Sequence, residues 1–215
     1  MKNTTLAVSI VATLAGLGMS SITSGAVVVL NSRAAWDVYV GFQGATVATE
    51  DFESFTSGYA ASATGTAGGT TWTANATFGL YFGQVNVPPL HQVISTNVEE
   101  VTLNFTFAPG VQGIGGEMFG TNVDFGVLLA RITVTLADGT SYVNDQTSAT
   151  AFVGFYSDGA TISSISVATS TPDTYATVDN LYFATIVPAP GALALISLAG
   201  VVGGRSRRRA NSAAV

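Results

Sequence analysis

Short segments in which apolar and polar residues alternate constrain this chain more than any other feature. Between residues 101 and 107 every odd position is apolar and every even position is polar. Ile132, Val134 and Leu136 alternate with threonines in the same way. A period of two is typical of half-buried β-strands, and no stretch between residues 27 and 186 has a clear helical period. The pattern predicts an all-β domain.

Turn signals between the strand candidates predict antiparallel pairing. Asp138-Gly139 lies between two alternating segments and suits a tight hairpin turn, in which glycine adopts a positive φ. Residues 58–71 are rich in alanine, glycine, serine and threonine and predict a surface loop, and Ser32 is expected to cap a short helix over residues 32–39. Further strands are predicted at residues 70–77, 78–82, 151–156, 160–168 and 175–184. Short strands with alternating faces predict a jelly-roll-like antiparallel β-sandwich.

The N-terminal segment has the features of a secretory signal peptide. Lys2 gives it a positive start, and residues 6–17 are largely apolar. Ser24, Gly25 and Ala26 are small enough to form a cleavage site. We therefore expect a signal helix within residues 1–26, export from the cytoplasm and a mature chain that begins at residue 27.

The C-terminal segment, residues 187–215, has a three-part order. It starts with Val187, Pro188, Ala189, Pro190 and Gly191, continues as an apolar run to residue 204, and ends in a basic block of Arg205, Arg207, Arg208 and Arg209. The prolines favour an extended backbone that an enzyme cleft can grip. As a helix, residues 191–204 span about 21 Å, less than the roughly 30 Å of a bilayer core. The arginines stay on the cytoplasmic side, so the segment predicts a transient hold in the membrane.

This order of motif, helix and arginines resembles a bacterial PEP-CTERM sorting domain, in a variant form with Ala189 in place of the usual glutamate. The resemblance implies processing by an exosortase-type membrane enzyme, which cleaves near the motif after export. It also implies a final location at the cell surface or in an extracellular polysaccharide matrix. The resemblance covers the tail alone and carries no information on the activity of the preceding domain.

Charge and cysteine content exclude several classes of function. The domain between the two targeting segments, residues 27–186, holds two basic residues, Arg33 and Arg131, against 13 acids, which gives a net charge of −11. A nucleic-acid partner is excluded, because phosphate binding needs clustered cations. The chain has no cysteine, so thiol catalysis, zinc–thiolate sites and disulfides are excluded as well. Its one histidine, His91, comes just after two prolines and is expected to lie in a loop.

Acidic residues near both ends of the domain are candidate calcium ligands. Asp51 and Glu53 flank Phe52 early in the domain, and Asp179 lies in the last predicted strand. This pattern resembles carbohydrate-binding jelly-roll modules. The resemblance implies that the first and last strands pair and that their acids hold a structural calcium ion, which binds about six to eight oxygens. The alternative is that all three acids are solvated residues at strand ends.

Together these features predict an exported cell-surface or matrix protein with a structural or interaction role, of which glycan binding is one form. A sugar-stacking platform would need exposed aromatic side chains, although most aromatics are expected in the core. The candidates are Trp36, Trp72, Tyr59, Tyr81, Phe119, Tyr142, Phe155 and Tyr156. The alternative is a secreted glycan hydrolase, which needs two carboxylates across a cleft, and Glu99, Glu100 and Glu117 are available for that role. No nucleophile motif accompanies His91, and the protein is not expected to be an enzyme.

Overall fold

The computed structural model describes residues 26–85, 90–136, 139, 141–145, 152–169 and 171–186. The predicted sorting tail, and all of the predicted signal peptide except Ala26, lie outside these residues. The described part of the chain folds into one helix, α1 (Arg33–Phe42), and 13 strands. The strands are β1 (Val27–Leu30), β2 (Thr46–Glu50), β3 (Gly58–Ala67), β4 (Thr70–Gln84), β5 (Gln92–Thr96), β6 (Leu103–Phe107), β7 (Val111–Thr121), β8 (Val127–Leu128), β9 (Ala130–Leu136), β10 (Ser141–Asp145), β11 (Phe152–Ser157), β12 (Ile162–Thr169) and β13 (Tyr175–Thr185).

The strands pair antiparallel and join into one continuous sheet. The main path through it runs β1-β11-β7-β13-β5-β4-β6-β12-β9-β10. Off this path, β2 pairs with β13, β3 with β4 and β8 with β7. The predicted hairpin is the pair β9–β10, and Gly139 in its turn has a φ of +89°. The all-β, antiparallel prediction is confirmed.

The long strand β4 turns this one sheet into a sandwich. Residues 72–75 of β4 pair with β6, whereas residues 80–84 pair with β5. Gly79, with a φ of +83°, lies between the two halves. Residues 70–77 and 78–82, predicted as separate strands, are therefore one strand that belongs to two layers. Because the sheet folds over in this way, β12 lies against β7 and β13, and the two layers enclose the core.

Apolar side chains from both layers fill the space between them. Met118 on β7 and Leu181 on β13 belong to the same fully buried cluster as Ile132 on β9 and Ile165 on β12. Burial of one such side chain contributes about 1.5–3 kcal/mol. The alternation in β6 is confirmed as well, since its apolar positions up to Phe105 are buried and the intervening ones are not.

The first layer is the one formed by β1, β11, β7, β13 and β5. Helix α1 covers its outer surface. Ser32 caps it as predicted, because its Oγ accepts a hydrogen bond from the backbone N–H of Ala35 at 3.1 Å. Trp36 is fully buried and packs on Gly154 and Gly115, where the lack of a Cβ leaves room for the indole ring. A second apolar cluster forms there from Trp36, Val40, Phe152, Tyr156, Tyr182 and Ala184. In the described part of the chain no helix has the length and apolar character needed to cross a bilayer.

The prediction of a surface loop at residues 58–71 is wrong. This segment contains β3, which pairs with β4 to make a two-stranded ribbon. Its threonines face threonines of β4, as in the contact between Thr64 Oγ1 and Thr73 Oγ1 at 3.3 Å. Its small residues make room for a large one, since a Cβ on Gly65 would lie 2.6 Å from Cε2 of Trp72. The composition that indicated a loop is here a consequence of close packing against an indole ring.

Candidate functional site

A cleft opens at one end of the first layer, where β5 and β7 end and β13 begins. Its volume is about 160 Å³. The residues that line it are Tyr81, Ser95, Thr96, Asn97, Thr121, Asn122, Val123, Phe125 and Tyr175. None of these nine side chains carries a charge at neutral pH, and all but Val123 and Phe125 have a hydroxyl or amide group. The cleft therefore combines aromatic rings with neutral hydrogen-bonding groups.

The loop after β7 positions one aromatic wall of the cleft. Asn122 organises this loop, because its Oδ1 accepts hydrogen bonds from the backbone N–H groups of Asp124 at 3.1 Å and Gly126 at 2.7 Å. Phe125 has a φ of +58°, an unfavourable conformation for a side chain of its size. This geometry brings the Phe125 ring to 6.1 Å from the ring of Tyr81, measured between centroids. Strain of this kind is often retained where a side chain must be aimed at a site.

A row of hydroxyl groups forms the floor beside these rings. Thr177 Oγ1 lies 2.9 Å from both Ser95 Oγ and Thr121 Oγ1, so three neighbouring strands are joined by side-chain hydrogen bonds. Thr96, next along β5, is 1 % exposed, and its Oγ1 has no hydrogen-bond partner among the described residues. Leaving a buried hydroxyl unpaired costs about 1–3 kcal/mol. This hydroxyl faces the core, because Thr96 pairs with the buried Leu80 and neighbouring residues of a strand point to opposite faces. Of the two residues, Ser95 directs its side chain to the cleft.

A second cluster of polar groups surrounds a β-bulge in β13. Asp179 lies opposite Glu117 of β7, and Asn180 is the extra residue, with a φ of +28°. Asp179 Oδ1 accepts hydrogen bonds from Asn180 N at 2.8 Å and from Asn180 Nδ2 at 3.0 Å. Gly116 makes this bulge possible, because a Cβ there would lie 2.6 Å from Asn180 O.

The three predicted calcium ligands lie on the same side of the domain. The first described strand, β1, pairs with β11 and not with β13, so the strand pairing that the resemblance implied is not found. The second strand, β2, does pair with β13, so Asp51 and Glu53 follow directly from a strand adjacent to Asp179. Glu53 Oε1 accepts a hydrogen bond from Gln92 N at 2.9 Å and lies 3.7 Å from Nδ1 of the loop residue His91. Burial raises the pKa of Asp179, and the charges of Glu53 and Asp51 raise it further. Within the residues described, however, no three acidic or histidine side chains converge closely enough to hold a metal ion.

Glu117 and Asp179 form a pair of carboxyl groups on adjacent strands. Burial raises the pKa of Glu117, and the charge of Asp179 adds to the effect. Glu117 Oε2 is buried and has no hydrogen-bond partner among the described residues. Arg33 lies nearby, with its guanidinium carbon 3.6 Å from the ring centroid of Tyr182, and burial together with Glu117 raises the pKa of that tyrosine to about 12. Both acids are candidates from the sequence alone, but their pairing depends on the register of β7 and β13.

Most of the aromatic residues considered for sugar stacking are part of the core. Trp36, Trp72 and Phe155 are 0 % exposed, whereas Tyr59 and Tyr81 are accessible. Trp72 is fixed by a residue that the sequence analysis did not single out. Glu50 Oε2 accepts the indole N–H at 3.0 Å while its Oε1 accepts the backbone N–H of Phe52 at 3.1 Å. Glu50 is therefore a structural carboxylate. Glu99 and Glu100 lie in the turn before β6, and Glu100 has a φ of +60°.

Comparison with solved structures finds a partial likeness to a phage tailspike protein. The enzymatically active domain of tailspike protein 4 from bacteriophage CBA120 matches 52 % of this chain at 18 % sequence identity, with a TM-score of 0.27. The match spans 19 % of that structure's length. No protein-family model and no curated protein matches the sequence. Because the likeness is so slight, fold and site are interpreted from this chain's own residues.

Proposed function

We propose that this protein is an exported cell-surface or matrix component whose β-sandwich binds a neutral glycan in the cleft between β5, β7 and β13. The proposed location rests on the predicted signal peptide and the PEP-CTERM-type tail. The tail implies two partners, an exosortase-type enzyme and, transiently, the membrane. The binding role rests on one observation, the lining of the cleft. Uncharged hydroxyl and amide groups lie there beside the rings of Tyr81 and Phe125.

The chemistry of a sugar ring suits this lining. A pyranose has an apolar C–H face that stacks on aromatic rings, and its hydroxyls both donate and accept hydrogen bonds. The cleft volume of about 160 Å³ is smaller than a typical drug-sized pocket and suits one ring at a time. The hydroxyl groups of Ser95 and Thr121 line the cleft and can bond the hydroxyls of such a ring. An extended polysaccharide would then be held by one residue in the cleft and by weaker contacts outside it.

One substitution in the cleft, Tyr81→Ala, tests the binding role with Tyr59→Ala and Thr96→Val as controls. Neutral oligosaccharides are titrated calorimetrically against the wild type and against Tyr81→Ala, Thr96→Val and Tyr59→Ala. Tyr59 is a surface tyrosine on β3 that is 64 % exposed and lies outside the cleft. We expect Tyr81→Ala to weaken binding by about tenfold, equivalent to roughly 1.4 kcal/mol, and Tyr59→Ala to leave it unchanged. Equal affinities for Tyr81→Ala and Tyr59→Ala would contradict the proposed site.

Thr96→Val gives a second readout, because it separates stability from affinity. Valine has the same shape and removes the unpaired hydroxyl, so the free domain should become more stable. The hydroxyl faces the core, so the affinity for the oligosaccharide should stay unchanged. An affinity that falls in Thr96→Val would show that the ligand does not bind on the Ser95 face of β5.

The alternative function is glycan hydrolysis by Glu117 and Asp179. The observation that favours it is the pairing of two carboxyl groups on adjacent strands, both with raised pKa values. A carboxyl group with a raised pKa is suited to act as a general acid while its partner stays ionised. Release of reducing ends from polysaccharides, abolished by Glu117→Gln, would establish this activity. We expect no release from either protein, because Glu117 Oε2 is buried.

We further propose that Asp51, Glu53 and Asp179 hold a structural calcium ion. The observation that supports it is the pairing of β2 with β13, which brings Asp51 and Glu53 out of a strand adjacent to Asp179. Burial raises the pKa of Asp179, and the charges of Glu53 and Asp51 add to this. A bound divalent cation would neutralise the repulsion among these charges and stabilise the contact between the start and the end of the domain. The residues are hard oxygen donors of the kind calcium prefers.

A further inference from the structure

Helix α1 is apolar on two opposite sides. One side, with Trp36 and Val40, is buried against the sheet. The other side faces outward beside β1 and forms an apolar groove with a volume of about 570 Å³. Val38 is 75 % exposed and Phe42 is 86 % exposed, and both lie in this groove. The remaining lining residues are Leu30, Ala34, Ala35 and Tyr39. A contiguous apolar surface of this kind marks an interaction site.

The chain leaves the fold close to this groove. β13 ends at Thr185, which pairs with Thr46 at the start of β2, and Ile186 beyond it is 47 % exposed. Thr46 follows the end of α1 by only a short turn, in which the N–H of Ala45 donates to the carbonyl of Val40. The segment from residue 187 onward therefore begins beside the C-terminal end of α1.

The apolar run of the tail is long enough to reach and fill the groove. Phe42 and Thr46 are four residue steps apart, at most about 14 Å of chain, and paired strands add about 5 Å. The five residues 187–191 span up to roughly 17 Å when extended. As a helix, residues 192–204 cover about 20 Å, whereas the ten-residue α1 is about 15 Å long.

We propose that residues 192–204 of this chain dock in the apolar groove on α1 whenever they are not inserted in the membrane. The proposal rests on the apolar character of the tail and is independent of glycan binding. Charge favours this occupant over a second copy or an anionic lipid surface. The domain carries a net charge of −11, which repels both alternatives, whereas the tail brings four arginines of its own. Docking would hide two apolar surfaces from water at once, the groove and the unprocessed tail.

Disulfide trapping tests this contact. Because the chain contains no cysteine, only the two introduced residues can form a disulfide. Phe42→Cys is combined in turn with Leu195→Cys, Leu198→Cys or Val201→Cys, in a chain that retains residues 187–215. The control places the first cysteine at Val143, which is 57 % exposed on the edge strand β10. The proteins are oxidised at low concentration, and the products are separated by mass. A scan of three tail positions is needed, because a disulfide forms only when two Cα atoms approach to about 4.4–6.8 Å.

We expect at least one Phe42 pair to give an intramolecular disulfide at ten times the yield of the matching Val143 pair. A disulfide-linked dimer in place of the intramolecular product would assign the groove to a second copy. Equal yields for the Phe42 and Val143 pairs would show a tail that samples the whole surface. Wild-type protein that binds neutral phosphatidylcholine vesicles through α1, with no intramolecular disulfide in any pair, would assign the groove to lipid. Each of these three results overturns the proposal.

A second measurement leaves α1 unchanged. Leu195→Asp and Leu198→Asp place a charge in the docked segment, and amide hydrogen exchange is followed along α1. If docked chains outnumber undocked ones tenfold, loss of docking removes about 1.4 kcal/mol and lowers the melting temperature by roughly 3–6 °C. Amides of α1 should exchange faster in the same variants. Unchanged exchange and melting would overturn the proposal even if the cysteine pairs had failed to form for geometric reasons.

Discussion

Substitution of Gly154 tests the packing that holds α1 on the sheet. In Gly154→Ala the new Cβ would lie 2.7 Å from Cγ of Trp36, and closer still to Cδ1, whereas ordinary contact begins at 3.4 Å. The indole must therefore shift by at least 0.7 Å in a site where it is fully buried. Gly154 has an ordinary β-strand φ, so the substitution adds steric conflict and no backbone strain.

The expected cost follows from how the conflict is resolved. If Trp36 moves within its site, overpacking costs about 1–3 kcal/mol. If Trp36 leaves the site, the domain loses roughly 150–250 Å² of buried aromatic surface, or about 4–6 kcal/mol. We expect the smaller figure, because α1 is also held by Val40, by the Ser32 cap and by the hydrogen bond from Trp36 Nε1 to Phe155 O at 3.4 Å. The larger figure is the upper limit.

Urea denaturation followed by tryptophan fluorescence measures this effect. The matched control is Gly41→Ala in α1 itself, where a new Cβ meets nothing within 4 Å. That change should stabilise the domain by about 0.5–1 kcal/mol, since alanine is the better helix former. Gly154→Ala should lower the midpoint and shift the emission of Trp36 to longer wavelength. A Gly154→Ala protein within 0.5 kcal/mol of the wild type would refute the described packing of α1 on β11.

Three further predictions concern the acids and the tail. Burial raises the pKa of Glu117 above its ordinary value of 4.5, so the folded domain holds that proton more tightly than the unfolded chain. Stability should therefore rise as the pH falls from the raised pKa towards 4.5, and Glu117→Gln should raise the melting temperature at pH 7 and flatten this rise. Calcium at a hundredfold excess over its dissociation constant should raise the free energy of unfolding by about 2.7 kcal/mol, or the melting temperature by roughly 5–11 °C. This effect should be lost in Asp179→Ala. A melting temperature that changes with neither calcium nor chelator would refute the site. Extracellular protein should have an intact mass that lacks Arg205 to Arg209, and recovery of the unprocessed tail would contradict sorting.

Local pattern predicted the strands well, because each alternating segment records which of its faces is buried. Strand β6, which ends at Phe107, was predicted from this alternation. The cap at Ser32 was predicted from the residue type that helix N-termini prefer. Prediction from alternation failed at residues 58–71. The small residues there show no apolar–polar alternation, because they are small in order to make room for the ring of Trp72. A single sequence does not show that a small residue is small because a large one lies across the strand.

The candidate site was less predictable, because it is made by register. Glu117 and Asp179 are 62 positions apart, and only the pairing of β7 with β13 makes them neighbours. The cleft joins Thr96, Phe125 and Tyr175, which come from three separate parts of the chain and share no motif. The jelly-roll resemblance implied that the first and last strands pair, whereas β1 pairs with β11 and it is the second strand, β2, that pairs with β13. No local pattern specifies that long-range pairing.

The position of β13 has a consequence for the order in which the domain assembles. β13 is the last strand among the described residues, yet it lies inside the sheet and pairs with β2, β5 and β7. A chain that emerges from its N-terminus cannot close the first layer until residue 185 is available, and pairings of such long range form slowly. An exported chain would therefore cross the membrane without a finished core and complete its fold only as the apolar run reaches the bilayer. Arrest at the membrane by the tail would then give the slowest strand time to insert.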